Sequence, residues 1–114
     1  MSKLIKSFGW AMHGVRTVWS EEVNFRIELF VGLVVVVLGF YFKLEIIEWV
    51  IIVGCLTAVL SAEMVNTAIE DLCNKVEPNT DPAIGKIKDT MGGFVFVVAL
   101  GAAIVGILVF SKYF

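Results

Sequence analysis

Charge is scarce in this chain. Asp, Glu, Lys and Arg make up 18% of its 114 residues, against about a quarter in soluble domains. Hydrophobic residues reach 59%, and mean hydropathy is +0.91. A short chain buries only a modest share of its surface when it folds in water. So much apolar surface therefore excludes a disordered chain and an ordinary soluble enzyme. What is left is a one-domain integral membrane protein. Cysteine is nearly as rare: Cys55 and Cys73 have neither a CxxC spacing nor a Cys/His cluster. A disulfide scaffold and a zinc site are excluded, and two free buried thiols are expected. A net charge of −2 carries no basic excess, so no nucleic-acid partner is expected. Met1 to Ser20 lacks a continuous apolar core and a small-residue cleavage site. That segment does not read as a signal peptide, and the mature chain is expected to begin at or near Met1.

Three uncharged apolar runs stand out: Leu29 to Phe42 (14 residues), Trp49 to Ala62 (14) and Thr90 to Ser111 (22). Only the third has the roughly 20 residues that cross a bilayer unaided. The first is extended by Lys43, whose ammonium can reach the interface. The second is fronted by Trp49, suited to the headgroup belt. It extends past Glu63, because Met64, Val65, Ala68, Ile69 and Leu72 remain apolar. Glu63 then lies at membrane depth. The expected helices are 26–43, 46–76 and 88–112, within a single domain 1–114. Both prolines, Pro78 and Pro82, fall in one polar segment with Asn79, Asp81 and Gly85. That segment reads as the turn before the last helix.

Ahead of the spans, Leu4, Phe8, Met12, Val15 and Trp19 recur every three or four residues. Lys3, Lys6, Ser7, His13, Thr17 and Ser20 mostly take the other side. Residues 3–20 are expected to form an amphipathic helix lying on the membrane surface. Lys3, Lys6, Arg16 and Arg26 precede the spans, and Lys75, Lys86 and Lys88 flank the Pro-containing turn. With three spans these seven share a side, against Lys43 and Lys112 on the other, so that side is expected to be cytoplasmic.

The carboxylates are unevenly placed. Glu63 and Glu70 are one heptad apart, so they differ by only about 20° around a helix and about 10 Å along it. Asn66 lies between them on the same side. A carboxylate at membrane depth is costly and is a functional candidate by default. Asp89, beside Lys88, stands at the mouth of the third span, and Glu21, Glu22 and Glu28 at the mouth of the first. Carboxylates gathered at one depth repel unless a cation joins them. Mg²⁺ suits such oxygen ligands together with substrate phosphates, Lys88 could neutralise phosphate, and a carboxylate at the lipid surface can take a proton from a lipid hydroxyl. The chemistry this suggests is phosphoryl transfer to a membrane alcohol. Two alternatives use the same residues: a small proton-coupled transporter built on Glu63, and a non-catalytic assembly subunit in which Glu63 and Asn66 tie helices together.

The run Glu63-Met64-Val65-Asn66-Thr67-Ala68-Ile69-Glu70 resembles the signature of the bacterial diacylglycerol kinase and undecaprenol kinase family. Gly85-Lys86-Ile87-Lys88-Asp89 resembles the family's Lys-Asp element before its last span. Gly14-Val15-Arg16, Trp19, Glu22 and Phe25-Arg26-Ile27-Glu28 resemble its first helices. The resemblance covers roughly residues 3 to 112. It implies an all-α membrane lipid kinase, a homotrimer of three-span chains with a surface helix, in the bacterial inner membrane. It also implies ATP as co-substrate, Mg²⁺ as cofactor, and active sites shared between chains at the cytoplasmic face.

By the same resemblance Glu63 is the general base, and Glu22 and Glu70 hold the metal. Trp10, Glu22, Glu70, Asp81, Lys88 and Asp89 meet the nucleotide, while Arg16, Arg26, Glu28 and Asn66 lie near the lipid. Two positions depart from the pattern: the family usually has Asp where this chain has Asn74, and commonly His where it has Asp81. There is no GxxxxGK[ST], so the nucleotide site is not a P-loop. Ala99, Ala102, Ala103 and Gly106 are expected to let the last helix pack closely. The stretch Asp81 to Asp89 leans toward the undecaprenol branch without deciding the alcohol.

Overall fold

The computed structural model describes residues 2–114. It contains four helices: α1 (Ser2–Glu21), α2 (Val23–Phe42), α3 (Ile46–Val76) and α4 (Pro82–Ser111). No strand occurs among the described residues. α2, α3 and α4 are each long and apolar enough to cross a membrane. At 1.5 Å per residue α2 reaches about 30 Å, the thickness of a hydrocarbon core, and α3 and α4 are about 15 Å longer.

α3 packs against all three other helices, whereas α2 and α4 flank it without packing on each other along their lengths. The molecule measures 50 × 43 × 19 Å. A helix with side chains is about 10–12 Å across, so the helices lie nearly side by side and enclose little interior. α4 buries no residue, and Phe94, Phe96, Leu100, Ile104 and Leu108 are exposed. Such a surface is suited to lipid or to another chain. α1 keeps Leu4, Phe8, Met12 and Trp19 exposed, and the residue it buries is Val18.

Each junction is set by local chemistry. Glu22 alone separates α1 from α2, in extended geometry at φ −120, ψ 106. Arg26 caps the end of α1, its Nη1 donating to the carbonyls of Trp19 (2.6 Å) and Ser20 (3.4 Å). α2 therefore begins at Val23, three residues earlier than the expected start at 26. At its other end Lys43 adopts the left-handed conformation, φ 58. The amides of Lys43 and Leu44 then bond back to Phe40 and Gly39, a capping arrangement that satisfies the last carbonyls.

α4 starts at Pro82, not near Lys88 as the polar composition suggests. Asp81 Oδ1 accepts from the amides of Ala83 (2.9 Å) and Ile84 (3.2 Å). Proline at the first helical position has no amide to leave unsatisfied. Asp-Pro is thus a helix start, which the turn-like composition conceals.

The α2–α3 turn is tightly filled. A Cβ on Gly39 would stand 2.6 Å from Trp49 Cη2 and 3.1 Å from Leu44 Cδ1. Alanine favours a helix by about 1 kcal/mol over glycine, but overpacking against a rigid ring costs typically 1–3 kcal/mol. Gly39→Ala should therefore lower the melting temperature in detergent; an unchanged or higher value would show that Trp49 can move aside.

The C-terminus clasps the start of α3. Glu48 Oε1 accepts from the Tyr113 hydroxyl (2.5 Å) and from the Glu45 amide (2.9 Å), and its Oε2 pairs with Lys112 at 3.0 Å. Phe42 packs against Phe110, Tyr113 and Phe114. The hydrogen bond to Glu48 raises both Lys112 and Tyr113 above their ordinary values of 10.5 and 10.0. Folded protons are held more tightly than unfolded ones, so this contribution is full below about pH 10 and is lost as pH rises through the folded values. Melting from pH 8 to 11 should show an alkaline decline that Tyr113→Phe reduces; identical curves would remove the clasp from the stability of the fold.

Candidate active site

The site begins with the periodicity of α3. Positions 63, 66 and 70 fall on one face, and that face is turned inward at its centre. Glu63 is 1% exposed and Asn66 8%, while Glu70 is half-buried. The neighbouring Thr67 is satisfied locally, its hydroxyl donating to the Glu63 carbonyl at 2.9 Å.

α2 brings a second carboxyl to this face. Glu28 is close enough to Glu63 for their side chains to interact directly, and Glu22 and Glu70 lie within electrostatic reach of Glu63. Glu28 Oε2 and Asn66 Oδ1 are buried without a donor. Uncompensated buried acceptors are costly, and two ionised carboxylates side by side more so. The arrangement therefore has capacity for a partner: an added proton, a donating hydroxyl or a cation.

Glu22, at the elbow, makes no capping hydrogen bond with its side chain. Its neighbour Glu21 meets Asp71 of α3, and the hydrogen bond between the two carboxyls pushes the Glu21 carboxyl up. The end of α1 is thereby docked beside Glu70.

The remaining candidates are placed elsewhere. Lys88 Nζ donates to Asn74 Oδ1 at 2.7 Å, bridging the end of α3 and the start of α4. Asp89 is exposed. Asp81 caps α4 through Oδ1 and Arg26 caps α1, so both have structural work beside any contact with substrate. Trp10 is 68% exposed, and Arg16 is also exposed. One chain thus assembles Glu22, Glu28, Glu63, Asn66 and Glu70, and keeps Lys88 with Asn74 nearby along α3. No group of three His, Cys, Asp or Glu forms a ready metal cluster among the described residues. The donor set nevertheless fits Mg²⁺, which takes oxygen ligands and commonly needs only one or two carboxylates beside water and phosphate.

Asn74 is the residue whose part the sequence conceals. Its signal was available: it stands four residues after Glu70 and continues the stripe 63–66–70. An amide there is easily read as the loss of a carboxylate rather than as an acceptor for a lysine.

Comparison with known proteins shows the family. Residues 9–110 match the family model described as prokaryotic diacylglycerol kinase. An undecaprenol kinase from Bacillus subtilis (strain 168) is 33% identical over 110 residues, covering 96% of this chain and 89% of the relative. A diacylglycerol kinase from Escherichia coli (strain K12) is 27% identical over 104 residues, covering 91% and 84%. One from Haemophilus influenzae is 26% identical over 112 residues, covering 96% and 95%. With a signature stripe buried on α3, three helices of membrane-spanning length and a match along nearly its whole length, the chain belongs to the prokaryotic diacylglycerol kinase family of lipid kinases.

Proposed function

We propose that this chain transfers the terminal phosphoryl group of ATP to the primary hydroxyl of a membrane lipid at the cytoplasmic face of the bacterial inner membrane. The observation that carries the reading is the buried Glu63 beside two donorless acceptors, Glu28 Oε2 and Asn66 Oδ1. A lipid hydroxyl is a donor that reaches this depth from the bilayer. Glu63 takes the hydroxyl proton as the lipid oxygen attacks the terminal phosphorus, the bond to the bridging oxygen breaks, and ADP leaves. Asn66 and Glu28 orient the hydroxyl, and Arg16 and Arg26 lie on the lipid side.

Lys88 and Asp89, with Trp10 and Asp81, hold the nucleotide, and Glu22 and Glu70 would hold Mg²⁺. When bound, that ion neutralises charge on the phosphate oxygens. Trp10 and Arg16 are exposed, and α4 leaves Phe94, Phe96, Leu100, Ile104 and Leu108 exposed on the side not packed on α3. Both features support a homotrimer in which neighbouring chains complete each site.

The lipid is a long-chain alcohol. The stretch Asp81 to Asp89, which leans toward the undecaprenol branch, favours the polyprenol. Labelled ATP offered with either alcohol in detergent should give a phosphorylated lipid, with undecaprenol the better acceptor. ATP hydrolysis with neither alcohol phosphorylated would overturn the reading. For orientation, a cysteine added after Phe114 should label from outside the cell; labelling of the Pro78–Pro82 turn from outside would reverse the topology.

A transporter needs carboxyls open to both faces. At the far end of α3, Glu45 pairs with Lys112, and Glu48 is engaged by both Tyr113 and Lys112, so the carboxyls there are committed to the C-terminus.

A further inference from the structure

We propose that Asn74 is a positioning residue for the nucleotide, acting through Lys88. This rests on the reading above, in which Lys88 meets the phosphates. Three observations converge. Asn74 Oδ1 accepts from Lys88 Nζ at 2.7 Å, across 14 residues of sequence and between two helices. Asn74 follows Glu70 by four residues, so the two side chains are neighbours on α3. Glu63, Asn66, Glu70 and Asn74 therefore form one line that runs from the buried carboxyl to the lysine held by Asn74.

A lysine side chain is long and has many rotamers. Unheld, its ammonium sweeps over the surface. The Asn74 amide fixes it beside the Glu70 turn, where an anion bridging the stripe and α4 would lie. The choice of acceptor matters as much as its position. An amide is neutral, so Lys88 keeps its full positive charge for a polyphosphate. A lysine has three donors, and one bond to Asn74 leaves the others for phosphate oxygens. The ligand chemistry this arrangement fits is a nucleoside triphosphate rather than the lipid headgroup.

The test is a double-mutant cycle read as KM and kcat for both substrates, on full-length protein in detergent. Lys88→Ala should raise KM for ATP by about tenfold or more. Asn74→Ala should raise it about threefold to fivefold, because the bond is exposed and charge-assisted, with kcat and KM for the lipid nearly unchanged. In the Lys88→Ala background, Asn74→Ala should add nothing. A full additional loss in that background would overturn the proposal, as would an Asn74→Ala effect confined to kcat or to melting temperature. If Lys88→Ala leaves KM for ATP untouched, the nucleotide role of Lys88 itself fails. If Lys88→Ala acts and Asn74→Ala does not, only the positioning role fails.

Discussion

Glu63→Gln should abolish detectable lipid phosphorylation while leaving the chain folded and its ATP binding largely intact. A general base typically contributes 10²–10⁴-fold; positioning and electrostatic stabilisation supply the rest of a phosphoryl transfer. Glutamine preserves the shape of the side chain and its hydrogen-bonding reach, but it cannot take the hydroxyl proton. Stability should be equal or slightly higher. Glu63 is 1% exposed and faces Glu28, so the substitution removes an unpaired carboxyl from beside another in a poorly solvated place. The amide can in addition donate to Glu28 Oε2, which has no donor. Lipid phosphorylation, nucleotide binding and thermal melting, measured on one preparation, separate the possibilities. A wild-type kcat would exclude the base role. Failure to assemble would show instead that Glu63 chiefly ties neighbouring helices together.

The second large effect is expected at the two carboxylates proposed to hold Mg²⁺. Glu22→Gln combined with Glu70→Gln should lower ATP turnover by roughly 10²-fold or more, the scale on which a charge-stabilising group is lost from an active site. Neutral amides are poor replacements for carboxylates as Mg²⁺ ligands. The two positions suit this role for different reasons. Glu22 sits on the single non-helical residue between α1 and α2 and makes no cap of its own. Glu70 is half-buried on the α3 stripe, next to the line that leads to Lys88. Each single variant should recover part of its activity at raised Mg²⁺, and the double variant much less. Near-normal turnover in the double variant would remove both residues from the site.

How far the site could be read in advance depended on the range of the interactions. Glu63, Asn66 and Glu70 were legible because a helix places residues at 3, 4 and 7 on one face whatever surrounds it. The membrane-spanning character was legible because composition and run length are local sums. The start of α4 is concealed in the sequence because Asp81 and Pro82 belong equally to turns and to helix beginnings. Only the donation of the Ala83 and Ile84 amides to Asp81 decides between them. Arg26 looks like a substrate-facing cation in sequence, yet in the fold it reaches back to the carbonyls of Trp19 and Ser20.

The sequence by itself determined an all-helical chain with three long apolar helices, a polar stripe on one of them, and a resemblance to a lipid kinase family. The spans and the stripe follow from hydrophobicity and the helical repeat, which need no knowledge of neighbours, and the family follows from the resemblance of the Glu63–Glu70 run to its signature. The tertiary structure alone decided which groups meet. It set Glu28 against Glu63 and Lys88 on Asn74, and it closed Tyr113 and Lys112 onto Glu48 and Glu45. Such pairs join residues 14 to 67 positions apart in the chain. Their meeting depends on how helices pack and where each helix ends, and a helical repeat carries no information about either.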